Sequence, residues 1–208
     1  MRTENKIVGY VQAGGGSRRF GSDKALSVLG GKTMLARTTE LVQAVCGRAR
    51  IIAEEGKYGQ TPAEIAADRW PGEGPLGGIL SALVETSEQA PEVKWSLIVG
   101  CGMPFLTRDW LEFLCERAMS SKSQVVVAES GFGLEPLCAC WSVDAAPVLQ
   151  AAFDSGVRKV TEAMKRVPME VLDESLWKRF DTEGRLFWNM NTREDFEEAR
   201  RIIETGTR

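Results

Sequence analysis

Histidine is absent from all 208 residues. That excludes histidine general bases, Ser-His-Asp triads and histidine metal sites, and it leaves proton transfer to carboxylates, lysine or water. Transfer between phosphates survives the exclusion, because it needs little beyond positioning and charge neutralisation. Apolar runs long enough to span a bilayer are also lacking, as is a basic-then-apolar leader, so a cytoplasmic protein with no membrane partner is expected. The five cysteines (Cys46, Cys101, Cys115, Cys138 and Cys140) contain no Cys-x-x-Cys pair. They read as buried thiols in a reducing compartment, with Cys138 and Cys140 on one face of a strand, rather than as a zinc or disulfide framework. Aromatic–basic interleaving of the RNA-binding kind is missing as well, so no nucleic acid is expected as a partner.

The net charge of −3 conceals a division. Residues 1–50 carry nine basic and three acidic side chains, a net +6, which leaves −9 for the rest. A locally positive site on an acidic body suits a small anion better than a long nucleic acid. The length allows one α/β domain, 1–208, with a sizeable core.

The segment Gln12-Ala-Gly-Gly-Gly-Ser-Arg-Arg-Phe-Gly-Ser-Asp-Lys24 follows the apolar run Ile7-Val-Gly-Tyr-Val11. A buried strand opening into consecutive glycines, then two arginines and a lysine, points to a cradle for a nucleoside triphosphate. Glycines let the backbone approach an anion and turn its N–H groups inward, while Arg18, Arg19 and Lys24 offset phosphate charge. It is not a Walker A loop, since Gly21 is followed by Ser-Asp-Lys rather than Lys-Ser or Lys-Thr. Nor is it a dinucleotide fingerprint, since Arg19 stands where the third glycine belongs.

Strand and helix patterns alternate along the chain, which predicts a single Rossmann-like, doubly wound, mostly parallel α/β sheet of the nucleotide-diphospho-sugar transferase type. Strands are expected over 6–11, 49–53, 94–99, 124–129 and 134–141, the last two joined by a Gly-Phe-Gly turn. Helices are expected over 33–45, 79–88, 108–118, 143–153, 157–166 and 193–203, the last with Thr192 as N-cap. Ligands of such sheets sit beyond the carboxyl ends of the strands, where four further segments fall. These are Asp68-Arg-Trp-Pro-Gly-Glu-Gly-Pro-Leu-Gly-Gly78, Val99-Gly-Cys-Gly-Met-Pro-Phe-Leu106, Glu135-Pro-Leu-Cys-Ala139 and Asn189-Met-Asn-Thr192. In the first of them, Pro75 and the paired glycines are expected to form a turn that exposes N–H groups at a helix start.

In order and spacing these five segments resemble the molybdenum cofactor guanylyltransferases, the MobA-like nucleotidyltransferases, over nearly the whole chain. Gln12 replaces the leucine usual in the opening signature and Phe20 the usual methionine. The resemblance implies transfer of GMP from GTP to molybdopterin, giving the guanine dinucleotide form of the molybdenum cofactor and pyrophosphate. By position it implies that the backbone at Gln12, Ala13, Gly14 and Gly15 holds the nucleotide and that Lys24 contacts the phosphates. Arg19 would stabilise the departing pyrophosphate, Asp68 contact the nucleotide, and Asn189 and Asn191 lie toward the acceptor, with a helix-capping role equally open for Asn191. It further implies Mg²⁺ as cofactor and molybdoenzyme apoproteins or their chaperones as partners.

Two positions depart from the family pattern. Glu54-Glu55 stand where an asparagine follows the second strand, and Gly102 stands where the family reads Cys-Asp-Met-Pro and the aspartate holds Mg²⁺. No metal ligand is therefore assigned. Three arrangements are compatible with Gly102: Asp68 or Glu135 supplies the missing oxygen, turnover is slow, or the chain is a non-catalytic binder serving a partner. Use of CTP, or of another phosphorylated acceptor, is the nearest alternative.

Overall fold

A computed structural model describes residues 6–13, 23–181 and 183–205. The central sheet has the strand order β5-β4-β1-β6-β8-β7-β9. Its members are β1 (Ile7–Gln12), β4 (Ala49–Ala53), β5 (Ile65–Ala67), β6 (Trp95–Gly100), β7 (Val125–Ser130), β8 (Gly133–Ser142) and β9 (Met169–Leu172). A small hairpin, β2 (Val28–Leu29) with β3 (Lys32–Thr33), stands apart. Only β8 runs against the other strands of the large sheet. The helices are α1 (Met34–Cys46), α2 (Pro75–Gln89), α3 (Arg108–Ser120), α4 (Ala146–Asp154), α5 (Val160–Ala163), α6 (Glu174–Trp177) and α7 (Arg193–Thr205).

Both faces of the sheet are covered, so β1 and β6 are buried along their whole length, as continuous apolar runs in parallel sheets are. Alternate residues serve opposite layers. Ile7 and Val11 of β1 pack with Leu35, Val42, Trp110 and Leu114 of α1 and α3. Val8 and Tyr10 pack with Leu76, Ile79, Leu83 and Leu149 of α2 and α4. Cys138 and Cys140 lie together in the first of these layers, and all five cysteines are buried and unbridged.

The expected elements occur in the expected order, joined by the unforeseen β2–β3 hairpin, edge strands β5 and β9, and α6. The edge strands β5 and β9 are three and four residues long, too short to show a period of two. Helix α2 starts at Pro75 rather than at 79, because Pro75 occupies its first turn after Gly74 (φ 87°) and a proline there needs no N–H partner. Gly77 and Gly78 thus serve close packing inside a helix rather than a turn. The stretch 157–166 contains one turn of α-helix and then a 3-10 turn over Met164–Arg166. Likewise 143–153 opens as a 3-10 turn before α4 begins. No described helix is long and apolar enough to cross a membrane.

Candidate active site

The centre of the sheet's carboxyl edge is where the glycine-rich segment departs. Gln12 pairs with Gly100 of β6 and Ile52 of β4. The Ala13 N–H then donates to Ile52 O (3.1 Å), and the Cys101 N–H donates to Gln12 O (3.3 Å). Gly14, Gly15, Arg18 and Arg19 lie outside the described residues. The chain re-enters at Asp23, whose Oδ1 accepts from the Ala25 N–H (3.0 Å) and caps the 3-10 turn Lys24–Leu26. The Tyr58 hydroxyl, from the segment after β4, lies between Ala13 O and Asp23 Oδ2, and Lys57 Nζ is 3.4 Å from the same Asp23 oxygen. One side chain therefore ties together the two ends of the 13–23 segment. Burial, and next the Asp23 charge, push the Tyr58 pKa up, so the group stays a hydroxyl.

Lys24 turns into the edge. Its ammonium donates to Asn189 Oδ1 (3.1 Å) and to Met190 O (2.7 Å). The Met190 N–H in turn donates to Gly102 O (2.9 Å), which joins the segment before α7 to the segment after β6. Gly102 has no positive φ that would demand glycine; what it provides is space. A Cβ added there would lie 2.3 Å from Asn189 Oδ1, 2.6 Å from Lys24 Nζ and 3.1 Å from Lys24 Cε. The volume that a side chain at 102 would fill is thus taken by an ammonium and a carboxamide oxygen.

Behind them, Asp195 Oδ2 accepts from the N–H groups of Asn191 (2.7 Å) and Thr192 (2.8 Å), while Thr192 Oγ1 accepts from the Asp195 N–H (3.1 Å). This reciprocal cap starts α7. Burial opposes ionisation of Asp195, but those N–H groups, the Thr192 hydroxyl and the Lys24 charge together hold its carboxyl below the usual range. Asn191 contributes its backbone to the cap, and its side chain is exposed.

Asp68 sits at the end of β5, where its N–H donates to Ala53 O (2.9 Å) and its Oδ1 accepts from the Trp70 N–H (3.0 Å) beside Ser81 Oγ (3.3 Å). Glu54 and Glu55 are exposed. The Gln12 side chain runs across the first turn of α2, where Nε2 donates to Pro75 O (3.2 Å). A Cβ on Gly78 would fall 2.2 Å from that Nε2. Gln12 Oε1 is buried and has no hydrogen-bond partner among the described residues.

These positions test whether the edge fits a magnesium ion. Strands lie about 4.8 Å apart, so β5, which ends just before Asp68, stands three strands and roughly 14 Å from β6. The Asp68 carboxylate is engaged by the Trp70 N–H and Ser81 Oγ rather than by anything at position 102. Glu135 comes level with Gly102 when the β6–β8 register, Val99 opposite Cys138, is carried on. Its carboxyl, however, accepts from Ser130 Oγ (2.6 Å), and burial pushes its pKa up despite that bond. Among the described residues no group of three or more cysteine, aspartate or glutamate side chains is placed to hold a metal ion. With an ammonium standing at position 102, this corner does not fit a protein-held divalent cation.

Of the residues singled out in the sequence, Gln12, Ala13, Lys24 and Asn189 gather around the ends of β1 and β6. Asp68 lies to one side, and Asn191 contributes only its N–H. Sequence reasoning missed Tyr58, Lys57 and the Met190 carbonyl. Tyr58 is one of two tyrosines, but nothing in its neighbours marks it, and a carbonyl oxygen carries no signal at all. A separate open cavity of about 530 Å³, lined by Lys32, Arg37, Glu40 and Met103 among others, includes none of these residues.

The MobA-like NTP transferase domain profile matches residues 9–167. A molybdenum cofactor guanylyltransferase of Desulfosudis oleivorans is 30% identical over 96% of this chain and 97% of its own. The protein of that name from Nitrobacter hamburgensis is 32% identical over 93% of each chain. Among solved structures, molybdopterin-guanine dinucleotide biosynthesis protein A of Archaeoglobus fulgidus superposes with a TM-score of 0.78 at 24% identity, over 96% of this chain and all of that one. That likeness bears on the fold.

Proposed function

This chain belongs to the MobA-like NTP transferase family, and from that premise we propose that it transfers GMP from GTP to molybdopterin. In the reaction an oxygen of the molybdopterin terminal phosphate attacks the α-phosphorus of GTP. The bond from that phosphorus to the β-phosphate bridging oxygen breaks, and pyrophosphate leaves with its electrons. Residues 1–208 act as one domain in this reading. The observation that carries it is the Lys24 ammonium, held by Asn189 and Met190 at the carboxyl edge beside the end of β1, where α/β sheets bind their ligands.

The backbone from Gln12 to Gly15 lies against the nucleotide, and the N–H groups of Gly14 and Gly15 are the ones offered to the triphosphate, since the Ala13 N–H is bonded to Ile52 O. Lys24 offsets the charge on its phosphates, and Arg19 offsets the charge on the departing pyrophosphate. Such preorganised donors stabilise charge as it develops. Asp68 contacts the nucleotide, and Asn189 faces the acceptor while steadying Lys24. Magnesium, when bound in reactions of this kind, neutralises triphosphate charge, but the residues after β6 do not fit a protein-held ion. Apoproteins of molybdenum enzymes, or their chaperones, are the recipients of the product.

Incubation with GTP and molybdopterin, followed by chromatography of the dinucleotide and assay of pyrophosphate, tests the proposal, and a parallel reaction with CTP tests the base. Dinucleotide from GTP is expected. Gly102 favours one other reading, a binder without turnover. Tight GTP binding with no pyrophosphate, molybdopterin and magnesium both being present, would establish that reading instead.

A further inference from the structure

Gly102 removes a side chain from the site, and the structure fills the gap with charge of the opposite sign. A carboxylate at 102 would be an anion placed to hold a cation. In its stead stands the Lys24 ammonium, 2.6 Å from where the Cβ would be. It is not there loosely. Asn189 Oδ1 and Met190 O fix it from one side, and Met190 is itself fastened to Gly102 O. Its charge reaches Asp195, whose carboxyl it helps keep ionised, and the buried Cys101 thiol, whose pKa it pulls down against the larger effect of burial. Of the carboxylates that could replace the missing one, Asp68 lies beyond β4 and β1, bonded to the Trp70 N–H and Ser81 Oγ, and Glu135 is engaged by Ser130 Oγ.

We infer that Lys24, seated in the space left by Gly102 and positioned by Asn189, takes over the charge-neutralising part of a divalent ion at this corner, so that the protein binds the triphosphate of a nucleotide without a metal held there. The inference rests on the proposed nucleotide binding and goes beyond it, because it concerns which cation meets the phosphates. It makes Gly102 a specificity-determining position and Asn189 a positioning residue. Any side chain at 102 must push Lys24 Nζ and Asn189 Oδ1 aside, and an aspartate there would pair with the ammonium and cancel its charge.

The test is a calorimetric titration of the full-length protein with GTP, once in excess EDTA and once in millimolar magnesium. For the unaltered protein the two affinities are expected to agree within about threefold. Gly102→Asp is expected to weaken binding at least tenfold in EDTA, with magnesium restoring most of the loss. Asn189→Ala is expected to weaken binding in both buffers alike, since it loosens the ammonium without adding a carboxylate. A tenfold or greater loss of affinity in EDTA for the unaltered protein would overturn the inference and leave the nucleotide-binding reading standing. Absence of GTP binding in either buffer would remove both. The unaltered protein decides the question even if Gly102→Asp fails to fold.

Discussion

Two glycines of this protein are used alike and to different ends. At Gly78, in the first turns of α2, the missing Cβ admits the carboxamide of Gln12, with Nε2 at 2.2 Å from where that carbon would be. At Gly102, after β6, it admits the ammonium of Lys24 and the carboxamide oxygen of Asn189. Neither glycine has a positive φ, so both are there for room. The Gly78 corner is neutral and leaves one buried oxygen, Gln12 Oε1, without a partner among the described residues. The Gly102 corner is charged, and among the described residues Asn189 Oδ1 and Met190 O help fix its cation. An unpaired buried acceptor costs stability, whereas a held cation can be spent on a ligand. The first corner is thus a way of packing a helix against a strand end, and the second a way of presenting charge.

The largest expected effect sharpens that contrast from the charged side. Lys24→Ala removes a donor that, in the proposed site, forms a charge-assisted bond to phosphate, worth about 1.5–3 kcal/mol. GTP affinity in a calorimetric titration is therefore expected to fall roughly 10- to 100-fold. The melting temperature should move far less, because Asn189 and Lys24 are only half-buried and water can reach the acceptors left behind. Unchanged affinity, or a collapse in stability that matches the loss of binding, would make Lys24 a structural strut and erase the difference between the two corners.

What could be seen of these corners in the sequence differs in kind. The strands that carry them were legible because β1, β4 and β6 are largely apolar runs, and α7 because Thr192 caps it, while the caps Thr33 and Thr107 of α1 and α3 emerge only in the structure. The edge strands β5 and β9 were not legible, since pairing with a neighbour rather than their own pattern makes them strands. Lys24 and Asn189 were each legible as members of motifs. Their bond, across 165 residues of chain, was not. Gly102 was legible only as a missing oxygen, because a sequence shows which atoms a residue lacks but not which atoms move into the space. Tyr58 illustrates the same limit: its link between Ala13 and Asp23 depends on how the segment after β4 folds back over the edge.

A smaller effect probes the neutral corner. Gly78→Ala places a carbon against three atoms of Gln12, at 2.2, 2.6 and 3.2 Å, in a spot where both residues are buried. Overpacking of this sort costs typically about 1–3 kcal/mol. Alanine returns about 0.5–1 kcal/mol of that through its better helix propensity. A net loss of roughly 1–2 kcal/mol in chemical denaturation follows. GTP affinity of the folded fraction should stay within a few-fold. A selective loss of GTP binding with stability intact would show that the Gln12–Gly78 contact serves the ligand and that the two corners are of one kind.

The smallest expected effect is Gln12→Leu, and it bears most directly on why the corners differ. Leucine is close to glutamine in volume, and it removes the oxygen that has no partner among the described residues, a group whose burial costs about 1–3 kcal/mol. It also removes the Nε2 bond to Pro75 O, worth about 0.5–1.5 kcal/mol. The two changes nearly cancel, so stability in chemical denaturation should hold or rise by up to about 1 kcal/mol. GTP affinity should not change, since the Gln12 carboxamide is engaged by Pro75 O of α2 and the proposed phosphate contacts are made by other residues. The same logic applied to Lys24 gives the opposite forecast, because there the polar head is satisfied and charged and no apolar group replaces what it offers a phosphate. A drop of more than about 2 kcal/mol for Gln12→Leu would mean that the carboxamide fastens α2 to β1 more firmly than its single bond suggests. The Gly78 corner would then be as dependent on its polar visitor as the Gly102 corner is.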